Sequence, residues 1–212
     1  MRTKKWGLLL MILLMAGLLA AAAGETALEL TDSCTFRLGG KTASKNLTDK
    51  KYTTNQESKS MKNPTLTVDC ETPMYGLYLC FQTMPEDYEI QVEQGGAWET
   101  VRHSGDGFYH VYCPLDGVKS VRVYANGDKK QTMGFNEVYV FGEGVTPDWV
   151  QRWEPTPEKA DLLFVVAHPE EELLYLGGAI PYYAREQEKS VAVACFSYAN
   201  TTRRSELLNG LW

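Results

Sequence analysis

Thr65-Leu66-Thr67-Val68-Asp69-Cys70 and Tyr75-Gly76-Leu77-Tyr78-Leu79-Cys80-Phe81-Gln82, separated by Glu71-Thr72-Pro73, decide the fold of the larger part of this chain. Both runs are rich in β-branched and aromatic residues. Alternating side chains point to opposite faces of a sheet, so each run predicts a strand. Working outward, the same signature recurs at 88–93, 98–102, 108–112, 118–124 and 136–141. Turn residues separate these runs: Gly95-Gly96, Gly105-Asp106-Gly107, Pro114-Leu115-Asp116-Gly117 and Asn126-Gly127-Asp128. Many short strands at nearly regular spacing predict a β-sandwich or jelly roll. Residues 25–64 are polar and irregular.

The rhythm changes at Asp161. Leu162-Leu163-Phe164-Val165-Val166-Ala167 is an unbroken apolar run, expected as a strand buried on both faces of a parallel sheet. A helix is expected over about 171–188, a second apolar strand over 191–196, and a further helix from near Thr202. That order is the start of a right-handed parallel α/β unit, an incomplete Rossmann-like β-α-β-α segment. Pro181 should kink the first helix, and Gly177-Gly178 would let it approach the sheet closely. Between the two parts, residues 144–160 carry Pro147, Pro155, Pro157, Trp149 and Trp153. They predict a short, stiff connector whose aromatics dock the flanking domains.

The N-terminus has a basic start (Arg2, Lys4, Lys5), an uncharged Leu/Met/Ala stretch and the small residues Ala21-Ala22-Ala23. This is the pattern of a signal peptide over residues 1–23 and implies a secreted protein. Its removal would take away three cations and leave 18 Lys and Arg against 27 Asp and Glu. Such a balance speaks against a nucleic-acid partner. Five cysteines remain: Cys34, Cys70, Cys80, Cys113 and Cys195. The first four could pair in three ways, or stay as small buried hydrophobes. Cys195 lies in an apolar run and is expected in the core.

The apolar run ends in His168-Pro169-Glu170-Glu171-Glu172, at the C-terminal edge where open α/β sheets place their ligands. Proline stiffens the turn and pushes His168 to an extended backbone. An imidazole and one carboxylate could ligate zinc while a second carboxylate takes a proton from metal-bound water. The plainer alternative is that acidic residues favour any first helical turn.

Two resemblances add to these observations. Leu47-Thr48-Asp49, the later strands and the closing Phe135-Asn136-Glu137-Val138-Tyr139-Val140-Phe141-Gly142 resemble a galactose-binding-like (discoidin-type) sandwich, which implies glycan or surface binding. Residues 164–172, continuing through Leu176-Gly177-Gly178, resemble the PIG-L/LmbE family of zinc-dependent N-acetylglucosaminyl deacetylases. That resemblance implies His168 and Glu171 as zinc ligands, Glu170 as general base, and Arg203, in an Arg-x-x-Glu pattern with Glu206, near an N-acetylated amino sugar or glycoconjugate. Both signature aspartates are glutamates here, each arm longer by about 1.5 Å against metal–oxygen distances of about 2.0–2.2 Å. The family's remaining zinc histidine is not in this chain, whose other histidines are His103 and His110.

The expected organisation is therefore a signal peptide (1–23), a sandwich (24–143), a connector (144–160) and the front of a deacetylase-like domain (161–212) belonging to a longer enzyme. The expected activity is zinc-dependent hydrolysis of an N-acetyl group, weak or lost in this chain. The alternative is a carbohydrate- or cell-surface-binding module with a degenerate deacetylase remnant.

Overall fold

The computed structural model describes residues 24–104, 107–153 and 157–212. The expected signal peptide, Gly105-Asp106 and Pro155 lie outside the described residues.

The strands run in chain order as β1 (Cys34–Leu38), β2 (Lys41–Thr42), β3 (Gln56–Glu57), β4 (Met61–Lys62), β5 (Thr65–Thr83), β6 (Tyr88–Gln94), β7 (Ala97–His103), β8 (His110–Ala125), β9 (Lys130–Gln131) and β10 (Gly134–Phe141). All ladders among them are antiparallel. β5 and β8 are long and belong to two layers. The first half of β5 lies between β1 and the second half of β8, with β6 and β7 beyond. The second half of β5 lies between the first half of β8 and β10, with β3 beyond. The outcome is a β-sandwich.

The segments Glu71-Thr72-Pro73 and Pro114–Gly117 were expected as turns and are instead bends inside continuous strands. The β5–β8 register shifts on both sides of Met74. A proline cannot donate to a ladder but is tolerated at a bulge, and a bulge bends the strand from one layer into the other. Gly76 completes the bend: a Cβ there would come within 2.7 Å of Tyr112 Oη.

Alternation fills the core. Leu66 and Val68 from one layer meet Leu77, Leu79, Val138 and Val140 from the other, all fully buried. Each such side chain contributes about 1.5–3 kcal/mol on leaving water. The residues between them do not face solvent either. Tyr78, Cys80, Tyr139 and Phe141 form a second buried cluster with Ala27 and Val150 on the outer face of β5 and β10. Trp149 of the connector closes it, its ring 4.9 Å from Tyr139 and 5.8 Å from Phe141.

After the connector, β11 (Leu162–Val166) pairs in parallel with β12 (Val191–Cys195), from Leu162 opposite Val191 to Val166 opposite Cys195. This two-stranded sheet is not buried on both faces as expected: Leu163 is 62% and Val165 52% exposed. Cys195 is half-buried rather than core. The helix expected over 171–188 is broken. A short α1 (Glu171–Leu174) ends before the glycine pair, and α2 (Ala179–Pro181) runs into a π-helical turn at Tyr182–Glu186. Gly177 packs against its own chain, where a Cβ would meet Leu173 O at 2.6 Å, and Gly178 has open space around it. The pair therefore interrupts the helix instead of drawing it onto the sheet.

α3 (Thr201–Leu211) is capped by Asn200, whose Oδ1 accepts from the Arg203 amide at 3.0 Å. Its apolar end finds partners: Leu207 is buried, and Trp212 meets Trp153 at 5.5 Å. Trp153 also stacks on Phe108 of the sandwich at 5.9 Å and 7°.

Candidate functional site

The acidic turn brings its residues together in two pairs. Glu171 Oε2 accepts from the Ala167 amide at 2.8 Å, and Glu171 Oε1 lies 3.3 Å from His168 Nδ1. The Ala167 N–H and then His168 hold the Glu171 carboxyl below the usual range. Glu170 is paired with Arg203, which also donates to Pro169 O at 3.0 Å and to Glu206 at 2.6 Å. Glu170 has φ 101° and ψ −27°, a left-handed backbone for a non-glycine residue. Its amide donates to Glu172 Oε2 at 3.0 Å, and Glu172 is 1% exposed. The acid that sequence reasoning gave no role is thus the one that braces the turn.

The His168–Glu171 spacing suits zinc. Two donors about 2.0–2.1 Å from one tetrahedral ion stand about 3.3 Å apart. The set is nonetheless too small: a catalytic zinc needs three protein ligands. No group of three His, Cys, Asp or Glu side chains able to hold a metal occurs among the described residues. His103 sits on β7 beside Glu89, and His110 is bonded to Tyr78. Glu170, the expected base, already has a carboxylate oxygen on Arg203. Among the described residues, His168 and Glu171 are thus a pair of donors with no third His, Cys, Asp or Glu placed to share a metal with them.

A second site lies where α3 approaches the sandwich. A cleft of about 280 Å³ is lined by Tyr52, Gln82, Tyr109, His110 and Asn136 on the sandwich side, with Ser205, Glu206 and Asn209 opposite. Tyr52 is half-exposed, its ring 6.1 Å from His110. Burial lowers His110 to about 4, so the ring is neutral at neutral pH, and its Nδ1 shares a 2.8 Å hydrogen bond with Tyr78 Oη. Burial pushes the Cys80 thiol up to about 12, which leaves it an unreactive neighbour. The Asn136 amide is fixed by donating to Tyr52 O and Thr54 O at 3.1 and 3.2 Å. The cleft thus offers aromatic surface, neutral polar groups and little free charge. Its residues are scattered along the chain, and no sequence pattern marks them as one site.

Asp49 and the buried Glu137 form a carboxyl pair, with the Thr54 hydroxyl 2.8 Å from Asp49 Oδ1. Such hard oxygens can share a proton or face a calcium-like cation. A glutamate inside the apolar run 135–141 was the available signal.

No family model and no curated protein matches the chain, so the deacetylase resemblance stands on its motif alone. Several solved structures are similar to the sandwich. One is the family 32 carbohydrate-binding module of Clostridium perfringens NanJ in complex with galactose: TM-score 0.42, 12% identity, 54% of this chain and 98% of that one. Another is an F5/8 type C domain from Bacteroides fragilis: TM-score 0.41, 15% identity, covering 56% and 96%. A third is chitosan-binding module 1 of a chitosanase/glucanase from Paenibacillus sp. IK-5: TM-score 0.38, 22% identity, covering 46% and 83%. At these scores and identities neither ligand nor site transfers to this chain.

Proposed function

We propose that the protein is a secreted carbohydrate-binding module that holds a neutral glycan in the cleft between the sandwich and α3. The observation that carries this reading is the half-exposed Tyr52 ring beside the neutral His110, in a cleft lined by amides and hydroxyls. The apolar face of a pyranose stacks on such a ring, and its hydroxyls exchange hydrogen bonds with fixed polar groups. A charged ligand would find no free countercharge on the lining, because Glu206 is engaged by Arg203.

Calorimetry of the full chain against galactose, N-acetylglucosamine and chitosan oligosaccharides tests it. At least one sugar should bind, and Tyr52→Ala should weaken that binding by roughly tenfold, the equivalent of one lost ring contact. Absence of binding to every sugar, or unchanged binding by Tyr52→Ala, would remove the reading. Export is tested separately: the secreted protein should begin near Gly24.

The deacetylase reading rests on the motif around His168, with the 3.3 Å His168–Glu171 spacing compatible with a shared metal. With two donors and an engaged Glu170, the chain should bind zinc weakly and release no acetate from N-acetylglucosamine. Zinc-dependent acetate release lost in His168→Ala would favour this reading instead.

A further inference from the structure

Sequence alone left three ways to pair the first four cysteines, and the register of the sandwich selects among them. Cys34 at the start of β1 stands directly opposite Cys70 on β5. Directly opposed residues of an antiparallel pair have Cα atoms about 4.5–5.5 Å apart and project on the same face. A disulfide accepts Cα separations of about 4.4–6.8 Å. The two thiols sit in one pocket: Cys34 Sγ is 3.2 Å from Leu30 O, and Cys70 Sγ is 3.7 Å from Ser33 Oγ. Burial, and then the neighbouring Cys70 thiol, push the Cys34 thiol well up.

The other cysteines have no such partner. Cys113 lies opposite Leu77 and belongs to the inner core, whereas Cys80 lies opposite His110 and belongs to the outer cluster. The sheet separates their sulfurs. Cys195 is on β12, its Sγ 3.3 Å from Ser197 O.

We propose that Cys34 and Cys70 form an intramolecular disulfide when the protein meets a low-molecular-weight disulfide such as oxidised glutathione. Cys34 is the more exposed of the two. Its thiolate attacks one sulfur of the oxidant and releases one glutathione thiolate, leaving a mixed disulfide. The Cys70 thiolate then attacks Cys34 Sγ and displaces the second glutathione. Two protein thiols are oxidised to one S–S bond, one oxidant disulfide is reduced to two thiols, and the two protein protons go to solvent or to the released thiolates. The raised Cys34 thiol makes the exchange slow at neutral pH and faster as pH rises. The bond would tie β1, next to the edge of its layer, to the central β5.

The test is peptide mapping without reductant after incubating the full chain with oxidised glutathione. The expected product is a single Cys34–Cys70 linkage, with Cys80, Cys113 and Cys195 alkylated only after denaturation or as free thiols. The oxidised protein should melt about 10 °C above the reduced one, the shift expected for closing a loop of this length. Cys34→Ser, at the accessible position, should fold and melt identically with and without reductant. A linkage between any other pair, or Cys34 and Cys70 both still alkylated after oxidation, would overturn the proposal. So would a reductant-dependent melting shift that persists in Cys34→Ser.

Discussion

The Lys51 amide is shared by two carboxyls from distant parts of the chain: it lies 2.7 Å from Glu137 Oε1 and 3.0 Å from Asp49 Oδ1. Burial, and then Asp49, raise Glu137 to about 7. Burial works to raise Asp49 too, but hydrogen bonds from Thr54, Glu137 and the Lys51 amide together hold it below its ordinary value. Of the two, Glu137 is therefore the one that holds a proton in the folded protein below about pH 7.

A glutamate whose folded value lies above its unfolded value stabilises fully below the unfolded value, and that contribution is lost as pH rises through the folded one. The Glu137 contribution should thus fall between about pH 4.5 and about 7 and level off above it, while His110, kept neutral by burial down to about 4, contributes an opposing rise between about 4 and 6.5. Asp49 acts in the opposite direction and in a lower window, below about 3.8. Glu137→Gln keeps an acceptor for Lys51 and should remove the Glu137 fall, leaving the rise that His110 contributes. Urea midpoints of parent and variant measured across that range check this; a difference between the two that does not change with pH would place the titration elsewhere.

Gly76 leaves room for the Tyr112 ring, whose hydroxyl accepts from Thr146 Oγ1 at 2.9 Å. Gly76→Ala should displace the ring and cost about 1–2 kcal/mol in an equilibrium denaturation curve. In a Tyr112→Ala background the same substitution should cost close to nothing, because the clash is gone.

How much of this was legible from residues alone differs element by element. The strands were, because Leu66, Val68, Leu77 and Leu79 alternate in sequence as they do in the core. Their continuity was not: Pro73 and Pro114 look like turn residues, and only the partner strand shows that the ladder runs on past them through register shifts on either side of Met74. The helix after His168 was overextended because apolar spacing outweighed Gly177-Gly178. Exposure of Leu163 and Val165 was hidden because an apolar run says nothing about whether further strands cover it. His168 and Glu171 could be paired from their spacing of three. Glu170 with Arg203, and Tyr52 with His110, depend on tertiary placement.

Glu170 gives a direct measure of backbone strain. Its φ of 101° lies where glycine is at ease and other residues are not. Glu170→Gly and Glu170→Ala both lose the Arg203 pair, so their difference isolates the backbone. The glycine variant should be the more stable by about 1 kcal/mol. The Leu174 amide, bonded to Glu170 O at 2.9 Å, should then exchange about fivefold more slowly in the glycine variant. Equal rates would show that the turn relaxes.

Trp153 is the aromatic that joins α3 to the sandwich, stacked on Phe108 and edge-on to Trp212. Arg204 adds a cation–π contact over Phe108 at 4.6 Å, but an exposed contact of that kind contributes only about 0.5–1 kcal/mol. Trp153→Ala should therefore weaken the docking of α3 by about 2 kcal/mol, from lost apolar area and ring contacts together. Amides in α3 should exchange roughly 30-fold faster. Those in β5 and β8 should be unchanged, because their core is closed by Leu66, Leu77, Val121 and Val123 without Trp153. The cleft would lose the wall that Ser205 and Asn209 provide, so glycan affinity should fall in the same variant. If affinity held while α3 exchanged freely, the ligand would rest on the Tyr52 side alone.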